Sequence, residues 1–279
     1  MVKHFFELMR PMNSFMAAFA VFIGAYIIGG PQIIGLPELQ LAVIATFFIS
    51  GGGMAINDYF DRDIDTINKP HRPIPSGRIS VNATMVFAFI LFAIGIYISF
   101  FINTYCIVLA VVNSFFLLVY SWHLKKVTLV GHLIVSYLVA SSFLFGGFAV
   151  ISQSTGFLLL AILFTLSFFA NLSREIIKTI EDIQGDRMAR IRSLPMVLGE
   201  KKARLIASLL LLVSIIAAPL PYIFDYFSIY YLIAVMIGVV MFIFAIIWNQ
   251  RETPAKRVHK LMKFAMLVCL LAFLVGAVF

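Results

Sequence analysis

The chain has 279 residues, of which 62% are hydrophobic and only 12% charged, with a formal net charge of +8. This composition excludes a soluble globular domain and indicates a polytopic membrane protein. The two cysteines, Cys106 and Cys269, both lie in apolar runs, so neither a disulfide framework nor a cysteine-rich metal site is available, and the distribution of basic residues follows membrane orientation rather than nucleic-acid binding.

A helix of about 20 apolar residues crosses the hydrocarbon core. Nine such spans are predicted, near 14–30, 39–56, 81–101, 104–122, 129–151, 156–172, 203–224, 228–248 and 261–278. Lys3, Glu7 and Arg10 precede the first span without a small-residue cleavage site after it, so that span is read as retained. This count puts the N-terminus and the connections after spans two, four, six and eight on one side. All 21 Lys and Arg fall there, whereas the opposite side carries only Glu38 and Asp225. The positive-inside rule therefore places the N-terminus in the cytoplasm and the C-terminus outside the cell membrane. The expected fold is all-α, one transmembrane domain over 1–279, with cytoplasmic cap connections at about 57–80 and 173–202.

At the end of the second span stands Asn57-Asp58-Tyr59-Phe60-Asp61-Arg62-Asp63-Ile64-Asp65, directly after its apolar residues, four carboxylates and an amide in nine residues. Negative charge this dense is expensive beside a bilayer and calls for a cation. At ~100° per helical residue, Asn57, Asp58, Asp61 and Asp65 fall at roughly 0°, 100°, 40° and 80°, one shared face, while Asp63 falls near ~240° and leaves the set.

The sixth span is followed by Lys178-Thr179-Ile180-Glu181-Asp182-Ile183-Gln184-Gly185-Asp186, which repeats the four-residue acidic spacing. Glu175, Lys178, Asp182 and Asp186 lie within about 60° of one another on a helix. Two acidic faces opposed across a cavity suit hard divalent cations, and oxygen-only ligands favour magnesium, which commonly bridges to substrate phosphates. The clusters follow spans two and six, an even offset that suggests a parallel repeat of two four-helix units with a ninth helix added.

Three other readings compete with this one. A solvated helix end is the bland account of a single charge run, but two runs in corresponding places argue against it. A calcium-binding loop would use Asp61, Asp63 and Asp65 as its first ligands, yet Thr66 stands at the required glycine and Arg72 at the bidentate glutamate. A cation-coupled transporter places its charges near the bilayer midplane, whereas these gather at one surface. Metal-assisted chemistry on a membrane-presented diphosphate accommodates both clusters, with Arg72, Lys125, Lys126 and Lys178 as further positive charge.

These residues resemble the UbiA-type superfamily of intramembrane prenyltransferases. The first motif of that superfamily, N-D-x-x-D-x-x-x-D, is matched by Asn57, Asp58, Asp61 and Asp65, and the second, D-x-x-x-D, by Asp182 and Asp186. Lys69-Pro70-His71-Arg72-Pro73-Ile74-Pro75-Ser76-Gly77 and Ser193-Leu194-Pro195 flank them, with serine where many members carry threonine. Within the superfamily the chain is most similar to the archaeal digeranylgeranylglyceryl phosphate synthases, through its Phe6-Glu7-Leu8-Met9-Arg10-Pro11-Met12-Asn13 opening and the Ser173-Arg174-Glu175-Ile176-Ile177-Lys178 run.

The resemblance implies nine helices around a central cavity open sideways to lipid. It implies two magnesium ions and the diphosphate of a polyprenyl donor held by the motifs, with a lipid or aromatic molecule as prenyl acceptor. The metal ligands expected are Asn57, Asp61, Asp65, Asp182 and Asp186, with Asp58 a ligand or a residue just behind them. Arg72 and Lys178 are first choices for the diphosphate. Lys125 and Lys126 either reach the substrate or set topology against lipid phosphates. Arg10 and Asn13 are candidates for a substrate phosphate, with an interfacial anchor as the alternative. Tyr120 and Tyr137 are candidates for the cavity wall, with packing as the alternative. The expected reaction is geranylgeranyl transfer from geranylgeranyl diphosphate to the free hydroxyl of geranylgeranylglyceryl phosphate, with transfer to an aromatic quinone precursor as the rival.

Overall fold

The computed structural model describes residues 2–151, 156–181, 183 and 193–279. Among these, nine helices are long and apolar enough to cross a membrane. A short leading helix, α1 (Val2–Leu8), precedes α2 (Pro11–Gly29), α3 (Pro37–Asn68), α4 (Val81–Ser99), α5 (Thr104–Trp122), α6 (Val130–Val150) and α7 (Phe157–Glu181). There follow α8 (Leu194–Leu198), α9 (Glu200–Ala217), α10 (Leu220–Ile223), α11 (Ile229–Gln250) and α12 (Ala255–Val278).

Local chemistry sets many of these ends. Pro11 opens α2 and Pro37 opens α3, where a missing N–H costs nothing because the first helical donors have no partner anyway. Ser80 accepts from the Ala83 N–H at 3.2 Å and Asn103 from the Cys106 N–H at 3.0 Å, capping α4 and α5.

Four elements differ from the sequence expectation, the sixth span among them, whose helix runs past residue 172 to Glu181. The second span does not stop at residue 56, because its helix carries the whole acidic motif and continues to Asn68. The seventh span, expected over 203–224, is α9 followed by the separate turn α10, as Pro219 and Pro221 cannot donate to the preceding turns. The last helix begins at Ala255 rather than 261, taking Lys256, Arg257, Lys260 and Lys263 into its first turns.

The chain forms two compact units: residues 1–25, 32–124 and 141–151 in the first, and 26–31, 125–140 and 152–279 in the second. In the first, small residues let backbones approach. A Cβ on Gly146 would stand 1.9 Å from the Val21 carbonyl oxygen, and one on Gly24 2.4 Å from that of Phe143, so α2 and α6 cross through two glycines. A Cβ on Gly95 of α4 would meet the Ala45 carbonyl oxygen of α3 at 2.9 Å.

In the second unit α7, α9, α11 and α12 share a core that includes Ile176, Ile177, Leu211, Phe242 and Met262. At its charged end Arg204 is buried. It bonds Glu200 at 2.7 Å, the Asn249 side chain at 3.0 Å and the Thr253 carbonyl at 3.3 Å, which ties the start of α9 to the end of α11.

Candidate functional site

The acidic motif occupies the last turns of α3, and its residues divide between two edges of one face. Asp58 and Asp65 are only 4% and 3% exposed. The Nη1 of Arg72 lies 3.1 Å from Asp58 Oδ1 and also donates to Asp65 Oδ2, while Arg10 Nη2 donates to Asp58 Oδ1. Two carboxylates and two guanidinium groups thus form a neutral quartet, the arrangement a low-dielectric surrounding demands of buried charge. On the adjoining edge the half-buried Asn57 donates from Nδ2 to Asp61 Oδ2 at 3.0 Å. The Asp63 side chain is 88% exposed and meets only Arg62, in keeping with its position off the shared face.

The connection after α3 is built to hold Arg72. Lys69 accepts from the Arg72 N–H at 3.0 Å, and the Pro73 carbonyl accepts from the N–H groups of Arg78 and Ile79 at 3.0 and 3.1 Å. Gly77 supplies the left-handed turn with φ +71°, and Ile74 and Ile79 are buried as apolar anchors. Arg78 then grips α1 by two bonds to Glu7 at 2.8 and 3.0 Å, and it also donates to the His71 carbonyl. This guanidinium beside Glu7 holds its carboxyl below the usual range, against a smaller opposing effect of burial.

Arg10 sits at the α1–α2 junction with φ +45°, an uncommon left-handed conformation for a non-glycine residue. The local geometry directs its side chain onto Asp58. Nη2 of Arg72 and its Nε have no protein partner among the described residues, so a rigidly held arginine retains donors for an anion. Asn13 is exposed and approaches the Met54 sulfur at 4.0 Å rather than the carboxylates. Tyr120 is half-buried in the last turns of α5.

The second unit holds Lys125, half-buried, and Lys178, exposed in the last turn of α7. Lys126 enters the description by its backbone only, and Asp182 and Asp186 lie outside the described residues. One turn before Lys178, Arg174 donates to Glu175, to Asn171 Oδ1 at 3.0 Å and to His259 Nε2 at 3.1 Å. Asn171 donates in turn to Ser136 at 3.3 Å. Sequence reasoning missed Ser136, Asn171 and His259. Their signal was a polar side chain inside or at the end of an apolar helix, but their partners lie 35 and 85 residues away.

The donor set on α3 fits magnesium: carboxylate and amide oxygens at Asn57, Asp58, Asp61 and Asp65, with charge already balanced at Asp58 and Asp65 and the Asn57–Asp61 edge beside them. Among the described residues no group of three or more His, Cys, Asp or Glu is gathered for a metal, so this edge needs oxygens from a substrate, from water or from outside the described residues.

Residues 17–271 match the UbiA prenyltransferase family. The chain is 41% identical to the digeranylgeranylglyceryl phosphate synthase of Methanococcus maripaludis strain S2, covering 100% of this chain and 99% of that one. It is 40% identical to the synthase of the same name from Methanococcoides burtonii, over 99% of this chain and all of the relative. A solved structure of a digeranylgeranylglyceryl phosphate synthase superposes with a TM-score of 0.93 at 38% identity, covering 99% and 98% of the two chains. The structure of a UbiA homolog from Archaeoglobus fulgidus bound to DMAPP and Mg2+ shares the fold, with a TM-score of 0.65 at 18% identity over 95% of this chain and 99% of that one.

Proposed function

The chain belongs to the UbiA prenyltransferase family and is a multi-pass membrane prenyltransferase; we propose that it transfers geranylgeranyl from geranylgeranyl diphosphate to the free hydroxyl of geranylgeranylglyceryl phosphate, forming the second ether of an archaeal lipid. The full-length relatives named for that synthesis support the choice of substrates. The observation that carries the reading is Arg72, fixed by Asp58 and Asp65 beside the Asn57–Asp61 oxygens with Nε and Nη2 still to offer.

In this reading Asn57, Asp61 and Asp65, with Asp182 and Asp186 of the second motif, hold two magnesium ions. Bound magnesium would neutralise the diphosphate oxygens and so favour departure of the leaving group. Arg72 and Lys178 orient the diphosphate, and Asp58 keeps Arg72 and Arg10 in place. The carbon–oxygen bond at C1 of the donor breaks, and the diphosphate leaves with the electron pair. The hydroxyl oxygen of the acceptor bonds to C1 and then loses its proton to the diphosphate or to a motif carboxylate. An electrophile of this kind needs little deprotonation of the alcohol before attack.

The test is transfer by the purified protein from labelled geranylgeranyl diphosphate with magnesium, offered either geranylgeranylglyceryl phosphate or 4-hydroxybenzoate. Ether product only with the glycerol lipid is expected. Product only with the aromatic acid would overturn the acceptor, and undiminished transfer by both Asp61→Ala and Asp182→Ala would overturn the site.

A further inference from the structure

The proposed reaction gives no role to Arg78, although it stands in the same connection as Arg72. A guanidinium has five N–H donors and no acceptor, and at Arg78 each of them has a protein partner. Nε donates to the Ser76 hydroxyl at 2.8 Å. Nη1 donates to Glu7 Oε2 at 2.8 Å and to His4 Nδ1 at 3.2 Å, a nitrogen that must therefore accept. Nη2 donates to Glu7 Oε1 at 3.0 Å and to the His71 carbonyl. The donors of Arg78 are thus all committed to the protein, in contrast to Arg72, whose two printed bonds both leave from Nη1.

Two of these bonds reach the backbone of Arg72 itself. The Ser76 hydroxyl that accepts from Nε donates to the Arg72 carbonyl at 2.6 Å. The His71 carbonyl belongs to the peptide unit that carries the Arg72 N–H. The peptide units on both sides of Arg72 are therefore tied to one guanidinium. Its remaining grip is on α1, whose own place is set by apolar burial: Leu8 is fully buried in the same core as Ile74 and Ile79, and the Phe5 ring packs on Phe87 with centroids 4.8 Å apart. Glu7 is thus an acceptor on a docked helix, and Arg78 carries that fixed position across to Arg72. Because the Glu7–Arg78 pair is partly exposed, it adds little to global stability.

We propose that Arg78, with Ser76 and Glu7, positions Arg72 for the diphosphate: the three residues fix the backbone on either side of Arg72, so that its guanidinium stays on Asp58 and Asp65 by Nη1 and keeps Nε and Nη2 for the anion. The inference rests on the reading of Arg72 as a diphosphate-binding residue given above. It assigns α1 a function at the site, since that helix holds Arg72 through Glu7 and leads directly into Arg10, the second guanidinium on Asp58.

The test is a mutant cycle on the purified full-length protein. Arg78→Lys keeps a positive charge for Glu7 but loses the fork that reaches Ser76 and the His71 carbonyl together, and Ser76→Ala removes the hydroxyl relay alone. Each change is made in the parent and in Arg72→Lys. Two quantities are measured: kcat/KM for geranylgeranyl diphosphate, and the rise in melting temperature on adding magnesium with inorganic pyrophosphate. In the parent, Arg78→Lys is expected to lower kcat/KM by about 10–100-fold, the scale of a ~1 Å misplacement, and to remove most of the pyrophosphate-dependent rise. Ser76→Ala should lose less, and Ser76→Thr, which restores the hydroxyl, should match the parent. In Arg72→Lys the same changes should add little, because residues that act through one group are not additive. Equal losses in the two backgrounds would overturn the proposal. So would an unaltered kcat/KM and thermal rise with a lower melting temperature alone, or a loss in Ser76→Thr as large as in Ser76→Ala. Should Arg78→Lys fail to fold, Ser76→Ala decides by the same criteria. Failure of the underlying reading is distinguishable, because the parent protein would then transfer no geranylgeranyl, whereas failure of this proposal leaves the parent active.

Discussion

Arg72 serves two buried carboxylates through one nitrogen, so its loss leaves both Asp58 and Asp65 without their shared cation. Removing one partner of a buried ion pair costs about 3–5 kcal/mol, since the desolvation of the remaining charge is no longer offset. Arg72→Ala is therefore expected to lower the melting temperature of the detergent-purified protein and to reduce transfer by about 10²-fold or more, because a fixed electrostatic donor is lost from the site. Arg72→Lys should recover part of the stability and little of the activity. An ammonium can satisfy a carboxylate but cannot keep the fork that leaves Nε and Nη2 for an anion. Asp63→Ala, at a side chain that is 88% exposed, should behave as the parent in both measurements. This contrast was legible in the sequence, because a helical step of ~100° per residue separates Asp63 from Asn57, Asp58, Asp61 and Asp65. The division of that face into an arginine-bound edge and an Asn57–Asp61 edge was not, since Arg10 reaches Asp58 from 48 residues away.

The elements are held in two different ways, and each has its own test. Where α2 and α6 cross in the first unit, backbone meets backbone: the Cβ of a Gly146→Ala variant would need to sit 1.9 Å from the Val21 carbonyl oxygen, which no side-chain motion relieves. Overpacking of this kind typically costs about 1–3 kcal/mol, occasionally more, so this variant should melt well below the parent, while Gly35→Ala, with open space around it, should not. The strap between α1 and the connection after α3 is electrostatic and more exposed. Since Arg78 depresses the Glu7 carboxyl, the contribution of the pair is complete above the ordinary glutamate range near ~4.3 and is lost as pH falls through the lower folded value. Solvent screening keeps it within about 1 kcal/mol. Melting temperatures of the parent and Glu7→Gln should therefore converge on acidification below that range. Hydropathy foretold the apolar helices but not the glycine crossings or the Arg204–Asn249 clamp, which depend on which helices become neighbours.

At the scale of the whole molecule, the nine apolar helices among the described residues make a multi-pass membrane protein, and the orientation we propose from the basic residues puts the two chain ends on opposite faces of the bilayer, the N-terminus in the cytoplasm. In that proposed orientation all 21 Lys and Arg fall on the side of the acidic motifs, the bias that electrostatic control of insertion produces when that side is the cytoplasm. The placement also suits the chemistry proposed, since a diphosphate is a soluble, charged head group that enters from the aqueous phase while its prenyl chain stays in the hydrocarbon. Membrane-impermeant maleimide discriminates the two faces. Cys106 is buried and Cys269 half-buried, so the native background is low. In intact cells Asp225→Cys, in the connection between α10 and α11, should be labelled, whereas His71→Cys, in the connection between α3 and α4, should be labelled only after the membrane is permeabilised. The reverse pattern would place the motifs outside and remove the argument from charge, because the same helices would then have inserted against their own basic residues.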